Sequence, residues 1–203
     1  AQNTTGVTDI FDSTPHFLAE QLDAVFTDTL PRCRQDRHGI LGRLIETIAA
    51  KLKEYGAKHI VVDPVMVATS GAKLLRDDAV TALCEKLLPL AEVLTPNIPE
   101  AEILSGMTIQ NAADMERAAQ NISEKYGCAV LCKGGHQIND ATTCFGATAR
   151  VSGSRDAAST TPTPTAPAAR CPVHASNLAK GYDLDTSVER AKAYISGALA
   201  AMP

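Results

Sequence analysis

The sequence predicts an α/β fold built around a parallel sheet, on three observations. Three short apolar runs, HIVVDPVM (59–66), AEVLTPN (91–97) and CAVLCKGG (128–135), each lead into Pro, Gly or Asn, as buried parallel strands lead into a turn. The segments between them carry the 3.6-residue period of amphipathic helices instead. The resulting order, helix, strand, helix, strand, helix, helix, strand, is the alternation that builds a parallel sheet, whose ligands sit beyond the carboxyl ends of the strands. The strand-end turns are therefore where chemistry is sought.

Taken in order, LIETIAAKLKEYG places apolar side chains at positions 44, 45, 48, 49 and 52 on one face, and Gly56 supplies the stop. RDDAVTALCEKLLPLA (76–91) repeats the design. NAADMERAAQNISEKYG (111–127) repeats it again, with Asn111 placed to cap and Met115, Ala118, Ile122 and Tyr126 on one stripe. Near the end, Thr186 and Glu189 have capping-box spacing ahead of an alanine-rich helix. Residues 141–172 break the scheme: the run has neither period, is crowded with Thr, Ser, Ala and Pro, and has the composition of a disordered insert. A structureless stretch of about 30 residues is unusual inside a compact domain.

Composition narrows the function classes. The 203 residues suit one domain spanning 1–203, with 45% hydrophobic and 21% charged residues placing it among soluble globular proteins. A formal net charge of -4 offers no basic surface to a phosphodiester backbone, so nucleic acid is not an expected partner. No apolar run approaches the roughly 20 residues that span a bilayer, and AQNTTGVTD has neither the basic start nor the apolar centre of a secretory signal. A cytoplasmic location without membrane contact is expected. The six cysteines (33, 84, 128, 132, 144, 171) form no C-x-x-C pair, which argues for buried thiols over a zinc site or disulfide framework.

Each strand-end turn carries residues that chemistry can use, beside a plainer reading. Asp63, in VVDPVMVATSG (61–71), offers a carboxylate to a metal or to a phosphate-bound cation; Asp-Pro also simply ends a strand. In TPNIPE (95–100), Asn97 stands three residues before Glu100, the spacing of a helix cap with an acid in its first turn. KGGH (133–136) offers Lys133 as a point charge and Gly134 and Gly135 for close backbone approach to a phosphate, although Gly-Gly also marks turns.

Together these motifs resemble the ribokinase-like kinases, and among them the hydroxymethylpyrimidine and phosphomethylpyrimidine kinases of thiamine biosynthesis. AQNTTGV, VVDPVMVATSGAKLL, LTPNIPEAE, CKGGH and NLAKGYDLDTSVERAKAYI carry the resemblance, over most of residues 1–29, 44–141 and 175–202. It implies a three-layer fold with a central, mostly parallel sheet, here incomplete, and two ATP-dependent phosphoryl transfers, to the pyrimidine's hydroxymethyl group and then to the monophosphate. By matching positions it also implies that Gln2 and Val65 contact the pyrimidine, and that Asp63, Asn97 and Glu100 position Mg²⁺ and its waters. Lys133, Gly134 and Gly135 would meet the nucleotide phosphates, and relatives of this kind are commonly dimers. Phosphoryl transfer needs positioning and charge neutralisation more than covalent chemistry, which such residues supply. A pyridoxal kinase, sharing the D-P-V-M turn, and a catalytically dead remnant that still binds pyrimidine or nucleotide are the alternatives.

The chain departs from the family pattern in three places. It begins inside the pattern, so an N-terminally truncated chain is expected; RCRQDRHG (32–39) stands where relatives read D-A-V-K-I-G-M. TTPTPTAPAA (160–169) stands where relatives read a glycine-rich anion hole ending in a catalytic cysteine. Ala169 takes that cysteine's place, and no catalytic residue is assigned. Codons permitted for residues 159–169, read one base earlier, spell D-N-P-N-T-H-G-T-G-C; those permitted for 32–39, read one base later, spell the other missing motif. Segments 31–42 and 142–174 are accordingly expected to be frame-shifted translations. Sequencing the coding DNA over both segments is expected to return codons compatible with both frames; incompatible codons would remove the idea.

Overall fold

The computed structural model describes residues 2–3, 6–7, 13–28, 34–36, 42–67, 74–133, 143–146 and 167–200. The chain opens with a small antiparallel pair, β1 (Gln2–Asn3) and β2 (Gly6–Val7), followed by helix α1 (Pro15–Asp28), strand β3 (Arg34–Asp36) and helix α2 (Gly42–Glu54). Strand β4 (Ile60–Val62), helix α3 (Asp77–Ala82), strand β5 (Val93–Leu94), helices α4 (Ile98–Ser105) and α5 (Ala112–Tyr126) and strand β6 (Ala129–Lys133) form the middle. Strand β7 (Thr143–Gly146) and helices α6 (Pro167–Ala179) and α7 (Leu184–Ala200) complete the described elements.

Five strands form one sheet in the order β3-β4-β5-β6-β7, the first four parallel and β7 antiparallel to β6. Alternate strand residues serve opposite faces, because successive side chains point to opposite sides of a strand. Ile60, Val62, Leu94, Val130 and Cys132 join the large core under α1 to α5, with Ile45, Leu52, Leu88, Met115 and Ile122. Val61, Val93, Ala129 and Leu131 pack with Ala175, Leu178 and Leu184 of α6 and α7 on the other face. Helices thus cover both faces, giving the three layers expected of a mostly parallel sheet.

Local signals set the helix ends. Asn111 caps α5 by accepting from Asp114 N at 2.9 Å, and Gly127, at φ 72, ends it in the left-handed region where a side chain is disfavoured. The apolar face of α2, Leu44, Ile45, Ile48, Ala49 and Leu52, is buried as its period requires. Two helices differ from the sequence expectation. The helix expected over 76–91 is regular only to Ala82; a wider turn over Leu83–Leu87 and a tight one over Leu88–Leu90 follow. Pro89 lacks the N–H that an α-helix would use there. The last helix starts at Leu184, before the expected Thr186 cap, because the Asp183 carboxylate accepts from Thr186 N at 2.8 Å.

Three elements fall within the segments that lack periodicity: β3 within 31–42, β7 within 142–174, and the first turns of α6. The two strands draw their hydrogen bonds from β4 and β6, so the neighbouring strand's ladder supplies what their own sequence pattern does not. Apart from Gly42, which begins α2, the remaining residues of both segments lie outside the described residues. Among the described residues, no helix is long and apolar enough to cross a membrane.

Leu94 is fully buried in the middle strand, whereas Tyr194 on α7 is 64% exposed. Leu94→Ala is expected to cost about 2–5 kcal/mol in urea denaturation. Tyr194→Ala is expected to change stability by no more than about 0.5 kcal/mol.

Candidate functional site

The strand-end residues singled out in sequence meet at the carboxyl edge of the sheet. Asp63 directly follows β4, and Pro64, having no N–H, cannot extend the ladder. The backbone turns at once: Val65 N donates to the Asp63 carbonyl at 2.9 Å, leaving Val65 half-buried in the turn. The sheet continues beneath this turn. Thr95 N donates to the Val62 carbonyl at 3.0 Å, and Lys133 N donates to the Pro96 carbonyl at 2.7 Å, with Asn97 bridged in parallel to Lys133.

At the centre lies an ion pair that spans three strands. Lys133 Nζ stands 2.7 Å from Asp63 Oδ1, although the two residues are 70 positions apart. Their side chains are 10% and 8% exposed. Thr95, buried on the intervening strand extension, donates its hydroxyl to the same Oδ1 at 3.2 Å. One carboxylate oxygen therefore receives a charged and a neutral donor, the satisfaction that a buried carboxylate needs.

Beside this pair, the start of α4 forms a capping box. Glu100 N donates to Asn97 Oδ1 at 2.9 Å, and Asn97 N donates to Glu100 Oε2 at 2.8 Å. The other Glu100 oxygen accepts from Met66 N at 3.3 Å, tying the helix to the turn that follows Asp63. Glu100 is 1% exposed, and its carboxyl is pushed up to about 7, chiefly because burial disfavours the charged form. The backbone N–H groups of Asn97 and Met66 and the Lys133 ammonium pull the other way without overcoming it, and Asp63 adds to the rise.

Of the residues expected to handle Mg²⁺, Asn97 and Glu100 are thus committed to the cap, and the plainer reading of TPNIPE holds in full. Direct ligation by either would compete with the hydrogen bonds that start α4. Among the described residues, no three His, Cys, Asp or Glu side chains stand close enough to hold a metal ion between them. Such a donor set would suit only an ion that keeps most of its own waters, as Mg²⁺ prefers, and Asp63 is the carboxylate that would hold it. The remaining candidates are less defined. Gln2 lies in β1, and Gly134 and Gly135 lie outside the described residues. Sequence reading missed Thr95 and the Met66 N–H: a threonine in an apolar run reads as a strand former, and a backbone donor leaves no mark in the sequence.

Comparison with known proteins bears on this arrangement. The family model described as phosphomethylpyrimidine kinase matches residues 1–203. The hydroxymethylpyrimidine/phosphomethylpyrimidine kinase of Bacillus subtilis is 43% identical over 140 residues, 69% of this chain and 52% of that enzyme, so the chain spans about half the length of this relative. The crystal structure of the phosphomethylpyrimidine kinase of Clostridium difficile superimposes with a TM-score of 0.85 at 34% identity, covering 98% of this chain and 82% of that one. A Bacillus subtilis pyridoxal kinase solved as an ADP complex gives a TM-score of 0.79 at 26% identity, covering 97% and 74%. The fold is the ribokinase-like α/β fold expected from the motifs.

The raised carboxyl of Glu100 sets a pH dependence. Its value in the folded chain, about 7, exceeds the ordinary 4.5, so folding takes up a proton between those values. Its stabilising contribution is fully present below pH about 4.5 and lost as pH rises through about 7. Glu100→Gln, which cannot ionise, is expected to compare more favourably with the unaltered protein at pH 8 than at pH 5 in chemical denaturation. An identical difference at both pH values would contradict the assignment.

Proposed function

The chain belongs to the phosphomethylpyrimidine kinase family, and from that premise we propose that it binds a hydroxymethylpyrimidine and ATP at the carboxyl edge of its sheet. The observation that carries this reading is the convergence of Asp63, Asn97 and Lys133 on neighbouring strand ends, where open α/β sheets place their ligands. In this reading the ammonium of Lys133 meets the nucleotide phosphates, a role the family resemblance extends to Gly134 and Gly135, which lie outside the described residues. Val65 and Gln2 line the pyrimidine. Asp63 would hold Mg²⁺, with Asn97 and Glu100 of the cap beside it; such an ion would supply neutralisation of phosphate charge.

The reaction is a displacement at phosphorus. The pyrimidine's hydroxyl oxygen, giving its proton to solvent, or in the second step an unprotonated oxygen of its monophosphate, forms a bond to the γ-phosphorus while the bond from that phosphorus to the leaving oxygen of ADP breaks. The protein's part is to align these oxygens and to balance charge. The proposed site for the work is the cytoplasm, and the proposed assembly a homodimer.

Residues 160–169 bear on rate. An anion hole works through converging backbone N–H groups, and Pro162, Pro164 and Pro167 have none. Ala169, where the resemblance puts a cysteine, has no proton to move. Binding without efficient transfer follows from this sequence.

Calorimetric titration and a coupled ADP-release assay test the reading together. Hydroxymethylpyrimidine and MgATP are expected to bind, pyridoxal is expected to bind more weakly, and turnover is expected to fall at least about 10²-fold below that of the Bacillus subtilis enzyme, the cost of one lost donor. Ordinary turnover would refute the impairment. Binding of neither ligand would refute the site.

A further inference from the structure

We propose that Asp63 is a specificity-determining residue that holds the Lys133 ammonium against free phosphate anions and yields it only to a polyphosphate that brings its own divalent cation. This rests on the reading of Lys133 as the phosphate-binding residue and adds a condition to it. The geometry carries the idea. Lys133 Nζ is 2.7 Å from Asp63 Oδ1, and Thr95 Oγ1 fixes that same oxygen from the strand between. Both charged side chains are about nine-tenths buried, so each depends on the other for compensation in a medium that screens charge poorly.

A phosphate arriving at this ammonium has two options, and both are unfavourable. If it displaces the carboxylate, Asp63 is left as a buried anion without its counter-ion. If it binds beside the intact pair, two anions share one lysine at close range, and like charges in a buried site repel strongly. A polyphosphate carrying a divalent cation avoids both costs, because the cation gives Asp63 a new counter-charge as Lys133 turns to the phosphate. Asp63 thereby discriminates between metal-free and metal-bound polyphosphate without needing to touch the phosphate.

The probe is inorganic tripolyphosphate, titrated by calorimetry and by thermal shift in EDTA and in excess Mg²⁺. The unaltered protein is expected to bind it in Mg²⁺ and to bind at least about tenfold more weakly in EDTA, the size of effect that one adjacent like charge produces. Asp63→Asn removes the charge and keeps the shape; it is expected to gain at least about tenfold in EDTA and to narrow the gap between the two conditions. The gain is expected to vanish in the double variant Asp63→Asn, Lys133→Met. Because Asp63→Asn leaves a lysine buried without its partner and is prone to unfold, the Lys133 ammonium resonance of the unaltered protein gives a second measurement. Metal-free tripolyphosphate should leave it in place, and the magnesium complex should move it. Equal affinity of the unaltered protein and Asp63→Asn in EDTA, or a resonance that moves equally with both forms, overturns the proposal while leaving the phosphate site standing. Absence of binding in every condition overturns the phosphate reading and this inference with it.

Discussion

The parallel register of β4, β5 and β6 is the constraint on which the rest of the molecule depends. Val61 pairs with Val93 and Val93 with Ala129, so three strands drawn from distant parts of the chain end at one edge. Parallel strands cannot be joined by tight hairpins, and each crossover must carry a helix back over a sheet face. That requirement places α3, α4 and α5 and the core beneath them, and it delivers Asp63, Thr95 and Lys133 to within hydrogen-bonding reach of one another. The strands themselves are short, two to five residues, so register rests on apolar side chains packing on both faces more than on a long ladder. A slip of one residue would exchange the two faces and scatter the strand-end groups.

The site trades stability for charge placement. A buried ion pair roughly offsets its own desolvation and contributes little net stability. The Asp63 and Lys133 pair is therefore better understood as a feature of the binding edge than as a support of the fold. The capping box at Asn97 and Glu100 works in the opposite sense. It satisfies the first backbone donors of α4 inside the protein, and through Met66 it fixes the turn beyond Asp63. One acid in this small region is held beside a lysine, and the other is pushed toward neutrality by burial.

Elsewhere the same division between local and distant effects recurs. Helices α1 and α2 are joined at the surface by Lys51, whose ammonium stands 2.7 Å from Asp23, and by Tyr55, whose hydroxyl donates to the same carboxylate at 2.8 Å while its ring stacks on Phe26. Hydrogen bonding from Lys51 holds the Asp23 carboxyl below the ordinary carboxylate range. None of these partners is legible in either helix alone, since each period reports only which face is apolar. The Asn111 cap and the glycine stop at position 56, by contrast, are legible, because they depend on backbone groups one turn away.

The sequence by itself determined the α/β class, the three central strands, the buried faces of α2 and α5, and the family, since these rest on periodicity, caps and motifs that act within a few residues. It also marked Asp63, Asn97, Glu100 and Lys133 as a set, without their partners. Tertiary structure decided the rest. It gave β3 and β7 their places, which come from hydrogen bonds offered by neighbouring strands, and broke α3 into unequal turns around Pro89. It also paired Asp63 with Lys133 across 70 residues and committed Glu100 to two backbone donors. Contacts between distant segments depend on the register of a sheet that no single segment specifies, and burial, which sets the charge of Glu100, exists only once the layers have closed.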